Sequence, residues 1–332
     1  MEINKDSYQI PIARRDLASG GLIGLSDLSF RRTDQSGLTW AEVQSEQAQF
    51  GVIARAIHKD SAFTRADFKR ARIGVIVACR MKSSRLKRKA LLPIHGVPSV
   101  ERCLHNCLQM SNIDEVILAT SDLEEDSVLE NYTVGGLTKF WRGDPDDVIQ
   151  RYIGACDHYG IDVIVRCTAD CPSISPEITD ILLKRHFEAG ADYTACESCA
   201  VGSGTEIYNV EALRRVIALL GKAEYSEYMT WYMRNNADVF KLNIVDIPVE
   251  LQRDYRLTLD YQEDLEMFNR LYSILDERGS EATLVNVFSV LDGDPSIAKI
   301  NQHMPLKYRT DAELINTLDK MTRIPPQSSY GG

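Results

Sequence analysis

From residue 72 onward, short unbroken apolar runs alternate with segments of helical spacing, and that alternation leaves few folds open. Ile73-Gly-Val-Ile-Val-Ala78 has no polar interruption, as expected of a strand buried on both faces of a parallel sheet. Residues 115–119 and 162–166 repeat the pattern, and residues 97–110, 145–159 and 176–189 carry helical spacing between and after them. The last two helices are expected to open on Pro145 and Pro176, with Asp144 and Ser175 as caps. Strand–helix alternation implies right-handed crossovers and a mainly parallel sheet with helices on both faces. Such sheets bind ligands beyond the carboxyl ends of their strands, so the residues at those ends are the ones to examine.

With 332 residues, the chain has room for about two domains. Its 44% hydrophobic and 26% charged content is that of a globular chain. No apolar run is long enough to span a bilayer. The first twelve residues are polar and mixed, without a basic-then-apolar signal, so a cytoplasmic location is expected. A net charge of -10 argues against nucleic acid as a partner. The eight cysteines are expected to be reduced and packed as small apolar residues. A zinc site from Cys103, Cys107 and the CxxC pair Cys196 and Cys199 would need two distant segments to meet.

The first strand runs into Cys79-Arg-Met-Lys-Ser-Ser-Arg-Leu-Lys-Arg-Lys89, which places six cations within ten residues at the mouth of the sheet. That loop either cradles a polyanion such as a triphosphate or is a solvated charged loop. The third strand ends on Asp170-Cys-Pro172, where a carboxylate is placed to hold a hard cation. Residues 256–264 read as a further strand entering a helix, and Asp260 there either completes a two-carboxylate Mg²⁺ site or caps that helix. A basic loop and two acids at strand ends together suit nucleotidyl transfer, in which a substrate oxygen displaces pyrophosphate.

The first 70 residues differ in texture. They lack a strong helical period and carry a weak internal repeat offset by about 40: Ala13-Arg-Arg-Asp-Leu17 against the stretch ending Arg55-Ala-Ile57, and Ser26-Asp-Leu28 against Ala66-Asp-Phe68. Two similar β-rich halves are expected to form one compact module over residues 1–70, with a second domain over 71–332. Ala13, Asp16, Leu17, Gly20, Gly21, Asp27, Leu28 and Arg31 in the first half, and Ala54, Arg55, Ile57, Asp60, Phe63, Thr64, Asp67 and Phe68 in the second, resemble the SAF (antifreeze-like, β-clip) domain. That domain accompanies sialic-acid synthases and other sugar-acid enzymes. The resemblance implies an acidic sugar, whose carboxylate Arg31 or Arg55 would reach.

Residues 72 to about 310 resemble the SpsF-type cytidylyltransferases and, through them, the CMP-sialate and CMP-octulosonate synthetases. The matching pieces run in order over about 70% of the chain: Ala78-x-Arg80-Met81-x-Ser83-x-Arg85-Leu86-x-x-Lys89, then Leu118-Ala-Thr120-Ser121-Asp122, then Phe140-Trp-Arg142-Gly143 with Asp147, Arg151 and Tyr152, then Val165-Arg166-x-Thr168-Ala169-Asp170-x-Pro172, and finally Arg256-x-Thr258-Leu259-Asp260-x-x-x-Asp264. The resemblance implies a Rossmann-like α/β nucleotidyltransferase fold, CTP as donor and Mg²⁺ as cofactor. It maps Ala78, Arg80, Ser83, Arg85 and Lys89 to the nucleotide loop. Thr120, Ser121, Asp122 and Arg142 map to further nucleotide contacts, and Arg166, Glu206 and Arg256 to the sugar. Asp170 and Asp260 map to the metal, and Arg80, Lys89, Asp170 and Asp260 form the catalytic set. A homodimer is common in the family.

Three departures stand out. The loop reads Arg85-Leu-Lys87-Arg88-Lys89 where the family has Arg-Leu-Pro-Gly-Lys, so an easy positive-φ residue is missing. Thr205 stands where an acid is common, and Tyr228 where a histidine is common. The reading is therefore a CTP-dependent transferase acting on an acidic, sialic-acid-like sugar. Two alternatives stay open: a sugar 1-phosphate acceptor, favoured by Lys87 and Arg88, and a non-catalytic binding protein. Tyr225, Tyr228, Trp231 and Tyr232 show helical spacing and suggest a core or interface face, and residues 325–332 suggest a frayed tail.

Overall fold

The computed structural model describes residues 8–33, 35–83 and 85–325; the first seven residues and nearly all of the expected tail, 326–332, lie outside them. In chain order the elements are β1 (Tyr8–Ala13), β2 (Leu28–Thr33), α1 (Trp40–Ala48), β3 (Gly51–Ile53), β4 (Phe68–Arg70), β5 (Ile73–Ala78), β6 (Pro93–Ile94), β7 (Val97–Pro98), α2 (Ser99–Cys107), β8 (Glu115–Ser121), β9 (Lys139–Gly143), α3 (Val148–Tyr159), β10 (Val163–Thr168), α4 (Pro176–Ala189), β11 (Tyr193–Ala195), β12 (Glu206–Asn209), α5 (Val210–Leu220), α6 (Met229–Arg234), β13 (Leu242–Ile244), α7 (Gln262–Glu277), α8 (Leu284–Gly293), α9 (Pro295–Lys299), α10 (Lys307–Thr310) and α11 (Ala312–Met321).

Seven strands form the central sheet in the order β13-β11-β12-β10-β5-β8-β9. The pairs β10–β5, β5–β8 and β8–β9 are parallel, and β12 alone runs against both its neighbours. The apolar run of β5 explains its central place. Val75 and Val77 point into a core shared with α2, α4, α7 and α8, while Ile76 points into the opposite core under α3, α5 and α6. This is the mainly parallel α/β architecture expected from the alternation. Helix α4 begins at Pro176 with Ser175 as its cap, as expected. Helix α3 begins later than Pro145. Asp147 caps it, and Asp144 instead accepts the amides of Asp146 and Asp147 to shape the preceding turn. Residues 256–260 form an extended segment joined by one bridge to Val201, not a strand.

In the first seventy residues the weak repeat is built in three dimensions. Leu17 and Ile57, forty positions apart, exchange backbone hydrogen bonds of 2.8 and 2.9 Å. Ala13 donates to Ser61, and Ile53, its repeat equivalent, donates to Gly21, so the two halves pair about a local dyad. Arg15 grips Asp27 at 2.7 Å, and Arg55 grips Asp67 at 3.0 Å. Helix α1 was not legible as a period, because it buries only Val43 and Gln47. Its signal was instead the reciprocal Thr39–Glu42 cap.

This small assembly packs against the amino-terminal ends of the sheet strands. Lys69 pairs with Asp162 just before β10, Arg70 with Asp114 just before β8, and Arg72 with Glu115. Lys241, just before β13, reaches back to Asp27 at 2.7 Å. At Gly190 (φ +60°) a Cβ would lie 2.1 Å from the Ile23 carbonyl oxygen, so the contact admits only glycine. Strands of six residues separate this end from the other by about 20 Å. The expectation that Arg31 or Arg55 reaches a substrate carboxylate is therefore corrected within one chain. Arg31 pairs with Asp60 and Arg55 with Asp67, at the far end of the sheet from the strand carboxyl termini.

Candidate active site

At the carboxyl ends of the central strands the chain crosses from β5 to its neighbours on both sides, with Cys79 donating to Ala119 and Ala169 donating to Ala78. The loop leaving β5 is pinned at its start. The Met81 amide donates to Asp126 at 2.7 Å, and the Ser121 hydroxyl donates to the other oxygen of that buried carboxylate. Asp126 thus joins the ends of β5 and β8. It lies in an acidic run, Glu124-Glu-Asp126, that gave no spacing signal.

Farther along, Arg88 adopts the left-handed conformation (φ 50°, ψ 34°) at the position where a glycine was expected, and the short helical turn Lys89–Leu91 follows. That turn aims the Lys89 ammonium inward. Its Nζ lies 2.6 Å from Asp170 Oδ2 and 2.9 Å from Asp260 Oδ1. Arg85 also pairs with Asp260. Burial alone would raise the Asp170 carboxyl, but the Lys89 charge and hydrogen bond outweigh it and bring the group down to about 2. Burial likewise opposes the charge on Lys89, and the two carboxylates hold its proton on well above the ordinary range.

Two residues ninety positions apart meet here for a backbone reason. The carbonyl of Asp170 accepts the Leu259 amide at 2.7 Å and the Thr258 hydroxyl at 3.3 Å, laying the 256–260 segment beside the end of β10. Asp264, fully buried at the start of α7, then fixes the turn. It accepts the amides of Asp260 and Tyr261 at 2.8 and 2.9 Å, Arg256 Nε at 2.8 Å and Asn301 Nδ2 at 2.9 Å. Arg256, expected near the sugar, is buried and held by Asp264 and Asp260.

The acceptor-side residues form a second network. Glu206 accepts from Arg166, from the Tyr193 hydroxyl and from the Thr230 hydroxyl. Burial would raise its carboxyl, but Arg166 and the hydroxyls hold it below the usual range. Arg80 reaches Glu227 at 2.7 Å, and Arg166 also donates to the Glu227 carbonyl. Glu227 was not singled out, because its partner lies 147 positions away.

Ala78 and Ser83 are half-buried along the loop. Thr120 and Ser121, expected to contact the nucleotide, are wholly buried at the end of β8 and present no accessible surface there. Asp122 is exposed beside them, and Arg142 donates to its carbonyl at 2.7 Å. Thr205 is buried against the Thr179 hydroxyl at 3.1 Å. The four aromatic residues do not share one helix face. Tyr225 is left-handed and exposed before a short turn, whereas Tyr232 is buried in α6.

The residues fit Mg²⁺. Two carboxylates converge on one cationic point, and oxygen ligands of this kind, completed by phosphate and water, are what that ion takes. Among the described residues no group of three or more His, Cys, Asp or Glu could hold a metal, so the four-cysteine zinc site is not assembled. No helix of the described residues is long and apolar enough to cross a membrane.

The sequence pattern of the Cytidylyltransferase family matches residues 74–288. The chain is 29% identical to the spore coat polysaccharide biosynthesis protein SpsF of Bacillus subtilis over 67% of this chain and 95% of that protein. It is 30% identical to a 3-deoxy-manno-octulosonate cytidylyltransferase of Aeromonas salmonicida over 46% of this chain and 60% of that one. A cytidylyltransferase structure from Leptospira borgpetersenii superposes with a TM-score of 0.63 at 26% identity, covering 71% of this chain and 99% of that one. A basic loop, converging acids and a parallel sheet thus lie within the matched span, and by that match the chain belongs to the cytidylyltransferase family of nucleotidyltransferases.

Proposed function

We propose that this chain transfers CMP from CTP to a hydroxyl of an acidic, nonulosonic-type sugar and releases pyrophosphate. The observation that carries the reading is the placement of Lys89 between Asp170 and Asp260 with Arg85 beside them. On this reading Arg80, Arg85 and Lys89 bind the triphosphate and neutralise the charge that builds on the leaving pyrophosphate. Asp170 and Asp260 would hold Mg²⁺, which when bound polarises the phosphoryl oxygens. The acceptor oxygen then bonds to the α-phosphorus, the α–β bridging bond breaks, and the hydroxyl proton is lost. The Arg166–Glu206 network, with Arg80 and Glu227, forms the wall against which an acceptor would be oriented.

The acidic sugar is supported by the octulosonate enzyme among the relatives and by the reading of residues 1–70 as an SAF-type module, for which the local dyad speaks. On this reading residues 71–332 are the catalytic domain. A sugar 1-phosphate acceptor is favoured by one observation, the exposed Lys87 and Arg88 beside the cluster. The test is a pyrophosphate-release assay with CTP, Mg²⁺ and matched panels of free sugar acids and sugar 1-phosphates. Release with nonulosonates or octulosonates supports the proposal. Release only with phosphorylated acceptors transfers it to the second reading, and none with either panel overturns both.

A further inference from the structure

The CxxC pair is the motif that the catalytic arrangement leaves unused. Cys196 and Cys199 are half-buried, whereas the other six cysteines are buried. Both sulfurs crowd one side of Gly204. A Cβ built there would lie 2.6 Å from Cys199 Sγ and 3.4 Å from Cys196 Sγ, so the absent side chain is what makes room for them. The pair is asymmetric. The adjacent Cys196 thiol, together with nearby backbone amides, brings Cys199 below the ordinary thiol range while Cys196 keeps its proton. Burial pushes the Cys79 and Cys156 thiols up, the opposite condition. A lowered thiol beside a protonated neighbour is the arrangement of an attacking and a resolving cysteine.

The pair also stands on the support of the catalytic acids. Cys199 bridges to Gln252 and Val201 to Arg256. Val201 donates to Tyr255 at 2.9 Å and accepts from Leu257 at 2.6 Å. These bonds lay down the segment that ends in Asp260. Glu197, between the cysteines, is tied to Arg234 at 2.8 Å.

We propose that Cys196 and Cys199 form a redox pair whose closure to a disulfide alters the segment carrying Arg256 and Asp260. The Cys199 thiolate attacks one sulfur of a low-molecular-weight disulfide and expels the first thiolate. Cys196 then loses its proton and attacks Cys199 Sγ, expelling the second. Two electrons pass to the small disulfide, which leaves as two thiols, and the chain gains one S–S bond.

The test equilibrates the full chain with oxidised and reduced glutathione and maps cysteine states by mass spectrometry. The expected result is loss of two hydrogens confined to the 196–199 peptide, with the six buried cysteines still reduced. The Cys196→Ser variant should stop at one glutathione on Cys199, and Cys199→Ser should resist both changes. Hydrogen exchange at the amides of Val201, Leu257 and Leu259 should shift at least threefold on oxidation and return with a dithiol. A pair that stays reduced overturns the proposal, as does a disulfide elsewhere. A disulfide at 196–199 with unchanged exchange overturns the coupling. None of these readouts depends on which substrate the enzyme uses.

Discussion

Asp264 holds Asp260 by its backbone: the buried carboxylate receives the Asp260 amide at 2.8 Å while also clamping Arg256. It is a positioning residue, since it acts on the Asp260 carboxylate only through that residue's backbone. Asp264→Asn should leave buried Arg256 with only its longer 3.4 Å contact to Asp260 and cost about 3 kcal/mol of stability. A urea midpoint shift checks the stability. In the folded fraction, the Mg²⁺ concentration for half-maximal activity should rise, and a shift in stability alone with an unmoved Mg²⁺ requirement would reduce Asp264 to a structural role.

Asp170→Ala separates chemistry from folding. Lys89 keeps Asp260 as a partner at 2.9 Å, so the lost carboxylate does not strand a buried charge. Turnover should fall by about 10³-fold or more with the far-ultraviolet circular dichroism unchanged. Retained turnover would refute the assignment of the acids.

Arg88 sits in the left-handed region, which costs a side-chain-bearing residue about 1 kcal/mol relative to glycine. Arg88→Gly should therefore raise the unfolding midpoint by an amount equivalent to roughly 1 kcal/mol, measured without nucleotide. A drop in stability would mean that the Arg88 side chain supplies more than its backbone strain removes.

His186 sets an acid limit. Burial, partly offset by its bond to Asn209, lowers its imidazole from 6.5 to about 4. Between those values the unfolded chain binds a proton that the folded chain refuses, so stability falls as pH falls across the window. The loss approaches about 3 kcal/mol near pH 4 and is absent above pH 6.5. His186→Gln should flatten that part of the stability profile, as read from denaturation midpoints between pH 4 and 7.

How far these residues could be read in advance follows from the range of the interaction. The apolar run Ile73–Ala78 and the Ser175–Pro176 helix start are local signals, and both stand where they were expected. The convergence of Asp170 with Asp260 was open to motif reasoning, but its cause, the Leu259 amide on the Asp170 carbonyl, is a contact across 89 positions with no local trace. Asp126 and Glu227 escaped notice because their partners are a backbone amide and a distant arginine, while Asp264 stood in the late acidic motif without its part in holding the Asp260 amide being readable. The left-handed Arg88 was foreshadowed by a glycine missing from the loop.

The seating of the amino-terminal assembly on the starts of the sheet strands has a consequence for anyone trimming the chain. Lys69, Arg70 and Arg72 answer Asp162, Asp114 and Glu115, acids that stand where β10 and β8 begin, on either side of β5. A fragment cut at residue 73 would leave these acids without their cations at the amino-terminal end of the sheet. What looks like a detachable appendage acts as the counterweight that lets those strands line up.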